Sequence, residues 1–259
     1  MKPVVRRILL ALICLALLVG LSALLATSRS HRQLLTCKGL KVEYADDHRF
    51  VTEGDVKAWL EKEYGSYIGQ RLDSVDLDRV ERILDDQSAV LKSEAYTTED
   101  GLLNVRIRQR EPVLRFQKGT EGFYVDDRGF IFPLQEHFTA PVPIVDGAIP
   151  VRFTPGYKGK AQTEKEQHWI EDVIGLMGWS RKSKVWREAF TQVTVAENGD
   201  LVLTPREGKE RFIFGAPEQV AERFDKIGRY YEYILPARGE GYYKTVNVKY
   251  DRQIICRQK

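Results

Sequence analysis

Adjacent carboxylates at Asp46-Asp47, Asp85-Asp86 and Asp126-Asp127 are the nearest this sequence comes to an acid/base pair. Such a pair does general acid/base work only when its surroundings drive the two proton affinities apart. Each pair sits in an expected turn, where charged side chains are solvated by default. The four histidines, His31, His48, His137 and His168, are scattered, and each stands apart from a cysteine. A Gly-x-Ser-x-Gly nucleophile turn, a phosphate-cradling glycine loop, a His-Glu-x-x-His zinc motif and paired metal-ligand spacings are all absent. The expectation is a protein that is not an enzyme and carries no cofactor or metal.

Binding chemistry is the alternative. In Leu102–Arg110, Leu103, Val105 and Ile107 alternate with Asn104, Arg106, Arg108 and Arg110. That arginine face suits lipid headgroups or an acidic partner, but the solvated side of any half-buried strand looks the same. Near the C-terminus, Ile254, Ile255 and Cys256 form an apolar cluster flanked by Lys249, Arg252 and Arg257, with no proline to interrupt it. Apolar edge strands invite pairing with another chain and are usually protected. An edge kept open for strand addition and a pair of interior hairpin strands account for this composition equally well.

The elements that must carry these residues can be read from periodicity and caps. Leu40–Tyr44 alternates as a strand. Thr52 and Asp55 form a capping box ahead of Val56, Trp59 and Leu60, and Asp76 caps a second helix built on Leu77, Val80, Ile83 and Leu84. Strands over Ala89–Thr97 and Leu102–Arg110 flank a turn at Glu99-Asp100-Gly101, completing a β-α-α-β-β unit. After Pro112 the chain reads mostly as β structure, with strands around Gly122–Asp126 and Phe130–Phe132 and a short one near Ile144. A helix follows Thr163 with Trp169, Val173 and Met177 on its apolar face. Trp59 and Trp169 read as core. Asn198-Gly199 predicts a two-residue hairpin turn between Gln192–Glu197 and Asp200–Pro205. A strand over Glu210–Phe214 follows. Pro217 is expected in the first turn of a helix carrying Val220, Phe224, Ile227, Tyr231 and Ile234 on one face. Strand-like pieces at Tyr242–Tyr250 and Gln253–Arg257 close the chain.

The N-terminus implies export. Lys2, Arg6 and Arg7 precede an uncharged apolar run from Ile8 to Ala26, about 28 Å long as a helix and close to the thickness of a bilayer core. Its length favours a retained transmembrane helix over a cleaved signal peptide. The basic tail favours a cytoplasmic N-terminus, and with either fate the folded part lies outside the cytoplasm. With 43% hydrophobic and 30% charged residues, the 259-residue chain can build a real core. A net charge of +3 gives no footprint for nucleic acid. Cys14, Cys37 and Cys256 are too few for a disulfide framework; a bridge between Cys37 and Cys256 is neither required nor excluded by their spacing.

This order of parts resembles the FtsQ/DivIB family of bacterial cell-division proteins. Arg110-Glu111-Pro112-Val113-Leu114-Arg115 is similar to that family's junction between its POTRA and β domains. Tyr124-Val125-Asp126-Asp127-Arg128-Gly129-Phe130-Ile131-Phe132 resembles its apolar-Val-Asp pattern, and Val246-Asn247-Val248-Lys249-Tyr250-Asp251 its closing strand. The resemblance implies an α+β protein: an N-terminal transmembrane helix, a POTRA domain, then a mostly antiparallel β domain with flanking helices. The implied boundaries are a cytoplasmic tail at 1–7, a span at 8–26, a stalk at 27–36, the POTRA domain at 37–111 and the β domain at 112–259. The resemblance also implies a single-pass protein of the cytoplasmic membrane with periplasmic or other extracytoplasmic domains. It would be a divisome scaffold that helps control septal peptidoglycan synthesis. The implied partners are the small bitopic coiled-coil proteins FtsL and FtsB/DivIC, with no nucleic acid and no small-molecule substrate. In the family the partner adds a strand at the last β strand, which points to Lys249, Tyr250, Ile254, Ile255 and Cys256 as the contact and tips the balance towards an open edge. The rival readings are a POTRA-bearing secretion or assembly factor and an exported cell-wall enzyme.

Overall fold

The computed structural model describes residues 12–22, 35–47, 50–135 and 138–258. The chain divides into two compact units, Met1–Gln109 and Arg110–Lys259. Helix α1 covers residues 12–22 with its side chains exposed. Among the described residues no helix is long and apolar enough to cross a membrane. The ends of the expected span, at 8–11 and 23–26, lie outside the described residues, as do the tail at 1–7 and most of the stalk.

The first unit has the expected β-α-α-β-β order: β1 (Gly39–Tyr44), α2 (Glu53–Glu63), α3 (Leu77–Asp85), β2 (Val90–Thr97) and β3 (Leu102–Gln109), with a short 3-10 turn at Leu72–Ser74 before α3. The sheet order is β1-β3-β2, with β1 parallel and β2 antiparallel to β3. The Thr52 hydroxyl accepts from the Asp55 amide at 3.2 Å while the Asp55 carboxylate accepts from the Thr52 amide at 2.8 Å. This reciprocal cap fixes the start of α2 and turns Val56 and Leu60 inward. Asp76 does the same for α3 by accepting from the Arg79 amide at 2.9 Å, so that Val80, Ile83 and Leu84 are buried. Leu103, Val105 and Ile107 of β3 complete the core, and Arg106 and Arg108 face solvent. Asn104, expected on that polar face, is buried instead and donates to the Thr98 hydroxyl at 2.9 Å. Trp59 is only half-buried.

The second unit comprises β4 (Pro112–Lys118), β5 (Glu121–Asp126), β6 (Ile131–Pro133), β7 (Ile144–Gly147), α4 (Glu164–Lys182), β8 (Phe190–Val195), β9 (Leu201–Pro205), β10 (Arg211–Gly215), α5 (Val220–Arg229), a π turn at Tyr230–Ile234, α6 (Leu235–Arg238), β11 (Thr245–Asn247) and β12 (Ile255–Arg257). Its nine strands run β12-β11-β10-β9-β8-β7-β4-β5-β6. The sheet is mixed, which corrects the expectation of a mostly antiparallel one: β4 with β7, β7 with β8 and β10 with β11 are parallel pairs. A parallel neighbour needs a crossover connection. The helices supply two of them, α4 between β7 and β8, and α5 to α6 between β10 and β11. The core lies between these helices and one face of the sheet. Ile170, Val173 and Leu176 of α4 and Phe224 and Ile227 of α5 join Phe116, Val145, Val193, Leu203, Phe212 and Phe214 in one buried cluster. Trp169 is half-buried, with its ring 6.0 Å from that of Phe116.

Three local expectations are corrected. The Asn198-Gly199 turn takes three residues rather than two, because the Ala196 amide closes on the Asp200 carbonyl at 2.9 Å with Gly199 at φ 83°. α5 begins at Val220 rather than Pro217, after Gln219 turns left-handed at φ 50°. The last two strands shrink to Thr245–Asn247 and Ile255–Arg257, because residues 248–254 leave the sheet and return through a turn with Arg252 at φ 57°.

Candidate partner-binding edge

β12 is an end strand, and among the described residues it pairs only with β11, through Asn247↔Ile255, Val246↔Cys256 and Thr245↔Arg257. One row of its backbone amides and carbonyls therefore has no strand beside it. Alternation then sorts its side chains. Val246 is buried and its neighbour Cys256 packs on the core, as does Ile254. Ile255 and Arg257 point to the opposite face, together with Thr245, Asn247 and Ile213. There they line a groove of about 430 Å3 with Asp200, Lys249, Tyr250 and Gln253.

Of the five residues expected at the contact, Lys249, Tyr250 and Ile255 come together in this groove, while Ile254 and Cys256 turn away to the core margin. Tyr250 is 46% exposed, a large aromatic held in solvent. Lys249 lies 5.3 Å over its ring, and its ammonium is 2.6 Å from Asp200 Oδ2. Burial pushes the Asp200 carboxyl up, but hydrogen bonds from Lys249 and Asn198 outweigh it and hold that carboxyl below the usual value. The hydrogen bond to Asp200 in turn raises the Lys249 ammonium. Gly215, at φ 85°, makes room for this arrangement, since a Cβ there would come within 2.8 Å of Lys249 Cβ. Burial pushes the Cys256 thiol up, away from the thiolate form that reacts. Cys14, Cys37 and Cys256 are all free.

Asp200, Ile213 and Asn247 were not singled out by sequence reasoning. Asp200 follows a hairpin turn that was legible, but nothing local shows that the hairpin reaches a lysine 49 positions later.

The carboxylate pairs prove to be structural in their first members. Asp46 accepts from the Gln109 amide at 2.7 Å, and Asp85 from the Ser93 amide at 2.6 Å. Asp126 is buried, accepting from the Arg128 and Phe130 amides at 2.9 Å each and from Arg110 Nη1 at 2.9 Å. The Arg110 guanidinium in turn sits 3.5 Å over the Phe130 ring. Only Asp47, Asp86 and Asp127 are exposed, as expected of both members. Among the described residues no group of three His, Cys, Asp or Glu could hold a metal ion.

Residues 111–257, more than half of the chain, match the family profile described as FtsQ/DivIB, C-terminal related. The chain belongs to the FtsQ/DivIB family. Residues 35–108 match a POTRA-like domain, so each unit described above contains one recognised domain. No match was found among curated proteins. FtsQ/DivIB proteins are membrane-anchored cell-division proteins, and the FtsQ/DivIB and POTRA-like families are families of non-enzymatic scaffold domains. The FtsQ/DivIB match runs to residue 257, the last residue of β12.

Proposed function

We propose that this FtsQ/DivIB protein is a bitopic divisome scaffold, anchored through Ile8–Ala26 with its N-terminus in the cytoplasm. A POTRA domain at 37–111 and a β domain at 112–259 act outside it. It binds FtsL and FtsB/DivIC-type coiled-coil proteins and so helps to control septal peptidoglycan synthesis. The partner adds a strand to β12 and settles side chains into the adjoining groove. The observation that carries this reading is the uncovered β12 edge beside a groove presenting Tyr250, Lys249 and Ile255. Backbone pairing supplies affinity in such a complex, and the pockets beside the edge supply selectivity.

The test is co-purification of the full-length chain, in detergent, with the FtsB/DivIC-type protein of the same genome. Wild type is expected to retain it and Cys256→Pro, which lacks the β12 amide facing the open edge, to lose it. Retention by both would move the interface away from β12. N-terminal sequencing of the membrane-extracted protein tests the anchor, and a start near Ser28 would show a cleaved signal instead.

A further inference from the structure

Helix α5 buries two cations, Arg223 and Lys226, each 6% exposed. Buried lysines and arginines are rare unless every charge is compensated. The Lys226 ammonium has three donors and three acceptors: the Tyr250 carbonyl at 2.8 Å, the Val248 carbonyl at 3.3 Å and Glu222 Oε1 at 3.0 Å. Both carbonyls belong to the segment between β11 and β12, on either side of Lys249. The last sheet-like bond of that segment runs from the Val248 amide to the Ile213 carbonyl at 3.0 Å. Past that point it has no strand pairing until β12. From the groove side the same segment is gripped again, because Asp200 holds the Lys249 side chain at 2.6 Å. Residues 248–250 are thus fastened from both faces of the sheet: backbone carbonyls by a buried lysine, a side chain by an acidic residue on a distant hairpin.

We infer that Lys226, with Asp200 opposite, is a positioning residue of the binding edge that holds Tyr250 and Lys249 in the groove before any partner arrives. The inference rests on the strand-addition reading above and adds to it the device that prepares the edge. Without the latch, residues 248–254 would be a loop anchored only at its two ends, and a partner would have to order it on binding. A preorganised surface avoids that entropic cost. Lys226 does not itself line the groove, so its effect on binding must pass through Tyr250 and Lys249.

A double-mutant cycle tests this. The full-length chain in detergent is titrated with the FtsB/DivIC-type protein of the same genome, using wild type, Lys226→Met, Tyr250→Ala and the double variant. Lys226→Met is expected to weaken binding about tenfold in the wild-type background and less than about twofold once Tyr250 is gone, since residues acting through one another are not additive. Amide exchange in the free Lys226→Met protein should quicken at 249–252 and stay slow in β8 and β9. Should Lys226→Met fail to fold, Asp200→Asn loosens the segment from the groove side, and the same loss and the same non-additivity with Tyr250→Ala are expected. Additive losses overturn the inference. So does unchanged binding by Lys226→Met, or by Asp200→Asn in its place, when Tyr250→Ala weakens it. If Tyr250→Ala itself has no effect, the strand-addition reading fails and takes this inference with it.

Discussion

The nine-stranded sheet ends in two strands of equal length that are finished in opposite ways. β6, three residues long, closes on Pro133. Its Ile131 exchanges backbone hydrogen bonds with Gly159 at 2.8 and 2.9 Å. Phe132 is buried against Tyr124, whose hydroxyl accepts from the Ala140 amide at 2.9 Å. A proline and a returning loop have occupied that edge. β12, also three residues long, has no proline and no loop bonded along it among the described residues. It adjoins a groove lined in part by an exposed tyrosine. Edge strands are hazards that proteins normally cover. On the proposed reading, the covered end is closed to pairing and the open end is the one that takes the partner's strand.

The largest effect should come from breaking the open end itself. Cys256→Pro removes the β12 amide that faces away from β11 and should cut partner affinity by about a hundredfold or more, near 3 kcal/mol. The melting temperature of the protein should hardly change. Equal losses of stability and binding would make β12 core and erase the contrast. Tyr250→Ala should cost on the order of 2 kcal/mol of affinity, as for a central aromatic anchor, measured by titration. At the closed end, Gly159→Val forces a side chain into a φ of 140°. It should cost about 1–3 kcal/mol of stability by denaturant unfolding and nothing in affinity; a loss of affinity there would mean both edges bind.

Lys249→Glu should act more weakly, chiefly lowering the association rate several-fold and changing its salt dependence, because charges at a rim steer encounter. It also sets a carboxylate against Asp200, so some loss of edge order should appear in amide exchange.

The smallest effect is on pH. Asp200 is lowered in the folded protein, so its contribution is present above the unfolded carboxylate value of about 4 and is lost as pH falls through the lower folded value. Lys249 is raised, so its contribution holds below about 10.4 and is lost as pH rises through the higher folded value. Affinity should therefore be level between roughly pH 5 and 9. A midpoint near neutrality would point to some group other than this pair.

Much of the fold was legible because its signals are local. The reciprocal cap at Thr52 and Asp55, the Asp76 cap and the period-two run of Leu103, Val105 and Ile107 each specify an element through residues a few positions apart. The parallel pairs were less legible, although the helices that require them were read correctly. Alternation predicts a strand but not its neighbour, and β10 and β11 are paired across an intervening helix. Part of the site could be read in the same way. Composition and family pattern pointed to five residues, of which Lys249, Tyr250 and Ile255 line the candidate groove while Ile254 and Cys256 pack at the core margin. A strand sends adjacent residues to opposite faces, and which face meets the groove depends on the register with β11.

What the sequence determined by itself is most of the elements and their caps, the absence of any catalytic pattern and the apolar C-terminal cluster, all of which follow from short-range patterns; β4, read only as a junction between domains, was not among them. Tertiary structure alone decided that Asp126 would be buried on Arg110 rather than solvated. It decided too that Asp200 would meet Lys249, and that a helix lysine would hold the carbonyls of residues 248 and 250. Those contacts join positions 16 to 49 residues apart. They exist only once strand order and register have brought distant segments into hydrogen-bonding reach, which no local pattern encodes.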